Sequence, residues 1–144
     1  MLTACSSLRG PLFVDAEYDN FSDRKQARVY FYRNKQDDGF KGVATVFDNG
    51  LSQGSVLMGN YMGYKTGPGE HDLQLASTVS DTGIKTNFRV GKTYYFRIDY
   101  AAGPETAEGD PTGAFTIVPL SSAEAISEIQ YTRNPGAEKL AHNR

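Results

Sequence analysis

A single histidine lies in the part of this chain that reads as folded, and a carboxylate follows it directly: His71-Asp72. A Ser–His–acid triad needs an imidazole oriented by an acid on one nitrogen and facing a hydroxyl on the other. Adjacent side chains in an extended segment point to opposite faces, so Asp72 cannot orient His71. His71 shares a face with Leu73 and Leu75 and reads as a turn-flanking residue at a strand end. The other histidine, His142, falls in a C-terminal tail. The acidic stretch Gly103–Gly113, with Glu105, Glu108 and Asp110, lacks the ligand spacing of an EF-hand and offers calcium at most a weak adventitious site. Gly67-Pro68-Gly69 is too short for a phosphate loop and has no following Lys-Ser/Thr. Cys5 is the single cysteine, so neither an internal disulfide nor a cysteine-based zinc site is available. No catalytic, cofactor or metal residue is assigned on this reading, and the expectation is a protein that is not an enzyme.

Aromatic side chains offer the other chemistry, that of recognition. Val29 and Phe31 alternate with Tyr30 and Tyr32. Further on, Tyr94, Phe96, Ile98 and Tyr100 alternate with Tyr95, Arg97 and Asp99. One parity of each segment must face a core, which places Tyr30, Tyr32, Tyr95 and Arg97 together on the opposite face. Tyr and Arg are enriched at partner surfaces, so these four are the candidate partner surface. The competing expectation is that the rings form cross-strand pairs or lie beneath a C-terminal helix. The absence of Trp disfavours a dedicated glycan-stacking site.

The elements that would hold these residues are short and β-type. A chain of 144 residues with 39% hydrophobic and 12% aromatic content suits one domain with a substantial core. Lys and Arg total 15 against 17 Asp and Glu, a net charge of −2 with no basic stripe, which argues against nucleic acid. No apolar run approaches the length that crosses a bilayer. From Ala27 onward, runs rich in β-branched and aromatic residues alternate with Gly, Pro and Asn. Strands are expected at Arg28–Arg33, Val43–Asp48, Leu51–Met58, Tyr61–Lys65, His71–Ala76, Phe88–Val90, Thr93–Tyr100 and Ala114–Leu120. Asn49-Gly50 marks a tight hairpin and Gly54 a bulge. The one helix is expected over 122–131, capped by Ser121 or Ser122, with Ala125, Ile126 and Ile129 at helical spacing. The fold class is therefore all-β, a sandwich of about seven to eight short, mainly antiparallel strands with one short C-terminal helix. The sandwich is preferred to a closed barrel because the helix needs a sheet face or an open end. Its expected limits are residues 25–133, with a tether at 1–24 and a flexible tail at 134–144. Leu12, Phe13, Val14 and Phe21 are the tether residues able to dock on the domain.

Two resemblances add a location. Leu2-Thr3-Ala4-Cys5, followed by Ser6, resembles the processing site of bacterial lipoproteins, in which an apolar residue and two small ones precede the cysteine that is lipidated. The resemblance implies a lipid on Cys5 and, with Ser6 in place of Asp, sorting to the outer membrane. The basic and apolar regions of a signal peptide are expected upstream of Met1, and the chain as it stands is expected to be water-soluble and unlipidated. Second, the order of Ala27-Arg28-Val29-Tyr30-Phe31-Tyr32-Arg33, Asp48-Asn49-Gly50, Gly59-Asn60-Tyr61, Pro68-Gly69-Glu70-His71 and Gly91-Lys92-Thr93-Tyr94-Tyr95-Phe96, then a short helix, resembles a family of small, uncharacterised bacterial lipoprotein domains. That likeness spans residues 27–131 and implies an envelope location, facing periplasm or cell surface, with no catalytic residues. The leading expectation is a non-enzymatic envelope lipoprotein that acts as a structural or protein-interaction module. A glycan or cell-wall ligand-binding sandwich is the alternative, and a hydrolase built around His71 comes third.

Overall fold

The alternation of inward apolar and outward polar residues resolves into two four-stranded sheets. The computed structural model describes residues 12–13, 23–35, 42–76, 82–104, 107–109 and 113–135. Its strands are β1 (Ala27–Tyr32), β2 (Ala44–Asp48), β3 (Leu51–Val56), β4 (Tyr61–Thr66), β5 (Gly69–Ala76), β6 (Thr82–Phe88), β7 (Thr93–Ala102) and β8 (Gly113–Leu120), followed by the helix α1 (Ser122–Ile129). One sheet has the order β4-β1-β7-β8 and the other β3-β2-β5-β6. All pairings are antiparallel except β1 with β7, which run parallel at the centre of the first sheet. The expected all-β sandwich with a short terminal helix is the fold. Cys5 and its flanking residues, Val14, Phe21, Glu105, Asp110, His142 and the tail from residue 136 lie outside the described residues. Among the described residues, no helix is long and apolar enough to cross a membrane.

Local chemistry explains the element boundaries. Asn49 (φ 50°) and Gly50 (φ 83°) occupy the left-handed region that a two-residue hairpin requires, and they join β2 to β3. In β3 the pairing passes from Val46–Gly54 to Phe47–Ser52, so the bulge expected at Gly54 is present, with Gln53 as the extra residue. β5 begins two residues earlier than expected, because Gly69 and Glu70 already pair with Phe88 and Asn87. β6 corrects a larger misreading. Phe88 ends a strand and does not begin one, and Arg89 and Val90 lead into the turn at Gly91. Thr82–Asn87 has a single large apolar residue, Ile84, and this suffices because β6 is an edge strand with one face to bury. α1 stops at Ile129, two residues short of its expected end. Ser121 caps it by accepting from the Glu124 amide, and its hydroxyl donates to the Glu124 carboxylate.

The residues bury two separate cores. The first lies between the sheets and includes Val29 and Phe31 of β1, Val46 of β2, Leu73 and Leu75 of β5, and Phe96 and Ile98 of β7. The second lies on the outer side of the β4-β1-β7-β8 sheet, where Tyr30, Tyr32, Tyr61 and Tyr95 meet Phe13, Ala125 and Ile129. The centre of that sheet is thus buried on both faces, and β1 has no exposed side chain at all. Six consecutive buried residues explain why β1 reads as an unbroken β-branched and aromatic run instead of a clean alternation.

Candidate functional site

His71 finds a carboxylate partner that its own neighbourhood does not supply. Its Nδ1 lies 2.6 Å from Asp48 Oδ1, and its Nε2 lies 2.8 Å from the carbonyl oxygen of Gly67. Asp48 closes β2, across the sheet from β5, and its other oxygen accepts from the Tyr64 hydroxyl at 2.9 Å. Tyr64 belongs to the opposite sheet, so the cluster ties the two sheets together. Both neighbours of the imidazole are acceptors. Both ring nitrogens are thus within hydrogen-bond distance of a protein oxygen, and neither faces a hydroxyl. Phe88 covers the ring with a centroid distance of 4.7 Å. The geometry has an imidazole and a buried acid, but the nitrogen that a triad would aim at a hydroxyl is occupied by a backbone carbonyl. Burial, then the Asp48 charge and hydrogen bond, hold the Tyr64 hydroxyl far above the usual phenol range.

Tyr30, Tyr32, Tyr95 and Arg97 do share one face, as the alternation requires, since Tyr30 pairs with Tyr95 and Tyr32 with Arg97. The three rings are not a surface. Their exposures are 3%, 0% and 4%. Phe13 stands edge-on to Tyr30 (5.3 Å, 88°) and to Tyr61 (5.4 Å, 86°), while Tyr30 and Tyr95 stack at 5.6 Å. α1 packs beside them with Ala125 and Ile129. The candidate partner surface is corrected for the three tyrosines, and the competing expectation holds: a helix and one phenylalanine from the preceding segment cover them. Gly63 belongs to the same arrangement, because a Cβ there would stand 2.4 Å from the Tyr30 ring.

Of the four candidates, Arg97 reaches the surface, at one wall of an open cleft of about 550 Å³ where the end of α1 meets β1 and β7. The cleft is lined by Asn34, Lys35, Arg97, Asp99, Glu128 and Tyr131, among others. Glu128 projects from α1 and accepts from Tyr32 Oη (2.6 Å), Arg97 Nη1 (3.0 Å) and Asn34 Nδ2 (3.0 Å). Arg97 also grips Asp99 with two parallel bonds, from Nε at 2.7 Å and Nη2 at 3.0 Å. One carboxylate on the helix therefore gathers three donors from the sheet beneath and the loop beside it. Sequence reading assigned no role to Asn34, Asp99 or Glu128. Glu128 lies 96 residues from Tyr32, and no spacing rule links them. Among the described residues, no cluster of three potential metal ligands occurs.

The electrostatics follow from this geometry. Burial pushes the Glu128 carboxyl upward, but hydrogen bonds from Tyr32, Arg97 and Asn34 and the Arg97 charge outweigh it and hold it below the usual carboxylate range. Burial, reinforced by the bond to Glu128, raises the Tyr32 hydroxyl far above its usual value. The hydrogen bond to Asp99 raises the Arg97 guanidinium, burial opposes it, and Glu128 adds to the rise. With the folded-state value of Glu128 depressed, its stabilisation is present above the ordinary carboxylate value of about 4.3 and is lost as pH falls through the lower folded value. Acidification below about pH 4 is therefore expected to loosen α1 from the sheet. Amide exchange across residues 122–129 would show it, and Glu128→Gln would flatten that pH dependence.

These features define a class: a β-sandwich whose outer sheet face is sealed by a helix, with an open, charge-balanced cleft at the helix end. The model of a family described as protein of unknown function, DUF2846, matches residues 23–111, well over half of the chain, and the chain belongs to that family. The match takes in β1 to β7, and with them Asn34, Arg97 and Asp99, whereas Glu128 and Tyr131 come from the chain beyond it. No curated protein matches the chain.

Proposed function

We propose that the protein is a non-catalytic lipoprotein of the bacterial cell envelope, a structural or protein-interaction module held at the outer membrane through a lipid on Cys5. The observation that carries the non-catalytic reading is the blocked imidazole: His71 spends both nitrogens on Asp48 and Gly67, and it does not line the cleft at the end of α1. Its cluster joins strands of both sheets, which is structural work. The anchoring rests on Leu2-Thr3-Ala4-Cys5 alone. Produced behind an export signal in a bacterium, the protein is expected in the membrane fraction, and Cys5→Ala is expected to shift it to the soluble fraction. An unmodified Cys5 in mass spectra of the membrane-associated protein would end the anchoring proposal.

A second reading, recognition of glycan or cell-wall material, is favoured by the open cleft and by Tyr131, whose exposed side chain lines it.

A further inference from the structure

We infer that the cleft at the end of α1 is a binding site for a neutral carbohydrate of one or two rings, an inference that rests on the glycan-recognition reading. Its volume of about 550 Å³ falls within the range of small-molecule sites. Its charges balance, Lys35 and Arg97 against Asp99 and Glu128. A phosphate would meet two carboxylates and a polyamine two cations, whereas a neutral ligand pays neither repulsion. Donors and acceptors both line the cleft, Asn34, Lys35 and Arg97 beside Asp99 and Glu128. Arg97 uses three of its five N–H groups on Asp99 and Glu128, so two hydrogens remain for a ligand. The Asp99 side chain, 44% exposed, presents acceptor oxygens beside them. A sugar hydroxyl both donates and accepts, so adjacent hydroxyls satisfy Asp99 and Arg97 together. Tyr131 adds the apolar component: it lines the same cleft with 74% of its surface exposed, and a flat aromatic ring suits the C–H face of a pyranose. The fork of Asp99 and the pull of Glu128 fix the guanidinium before any ligand arrives, so little ordering remains to be done on binding.

The test is a titration of the isotopically labelled chain followed by amide NMR, with chitobiose and maltose as probes and inorganic phosphate and glycyl-lysine as rivals. Millimolar binding of at least one sugar is expected, with shifts concentrated at residues 97–99 and 127–132. Tyr131→Ala should weaken it by about tenfold, and Asp99→Ala similarly, while the exposed Tyr131 leaves the melting temperature unchanged. No shift with either sugar would overturn the inference, as would sugar binding indifferent to Tyr131→Ala, or tighter cleft binding by phosphate or the dipeptide. Recovery of the sugar intact checks the non-catalytic reading separately: hydrolysis of a cleft-bound disaccharide would overturn that reading and leave the site standing.

Discussion

The double variant Tyr30→Ser, Tyr32→Ser is expected to lose most of its cooperative fold. Both rings are buried in the outer core, and truncating a buried aromatic costs about 3–5 kcal/mol. Small domains hold about 5–15 kcal/mol in total, so two such losses consume most or all of it, even if neighbouring sites are not additive. Tyr32→Ser also removes a donor from Glu128 and loosens α1. Thermal denaturation decides the matter. A melting temperature near that of the parent chain would mean that the rings are peripheral, contrary to their packing under Phe13 and α1.

Asp48→Ala is expected to produce the second largest effect. It leaves the His71 imidazole and the Tyr64 hydroxyl buried without their carboxylate, and a buried polar group left without its partner costs about 1–3 kcal/mol for each of the two. A double-mutant cycle with His71→Ala separates this from simple loss of packing. The second substitution should cost measurably less once Asp48 is gone, with a coupling of about 0.5–3 kcal/mol in denaturant melts. Strict additivity would show that the 2.6 Å contact carries no stability.

What was legible in the sequence was what depends on near neighbours. The alternation in β1 and β7 puts Tyr30, Tyr32, Tyr95 and Arg97 on one face, Asn49-Gly50 makes the hairpin, and Ser121 caps the helix. What covers that face was not legible. Parity assigns a side chain to one side of a sheet and says nothing of the layer that packs there. The second core draws on Phe13, Tyr61 and Ile129, residues brought together only by the tertiary fold. The same holds for partners. Asp72 adjoins His71 in sequence and faces away, while Asp48, 23 residues earlier, supplies the acid because β2 and β5 are paired. β6 was misplaced for a different reason: an edge strand buries so little that its sequence is mostly polar.

The stitching of Leu12 and Phe13 to the chain after α1 has a mechanical consequence. Leu12 bridges to Arg133, the Phe13 amide donates to the Thr132 carbonyl at 3.2 Å, and Arg133 bridges onward to Asn60, next to β4. A pull on the N-terminal segment is thus not delivered first to β1, the next strand in sequence. It enters through the C-terminal edge of the molecule and spreads laterally into the helix end and β4. The two ends of the fold share one load path. A protein trimmed to start at Asp23, where the family match begins, would lose that coupling and open the Tyr30, Tyr61 and Tyr95 rings on the side that Phe13 now closes.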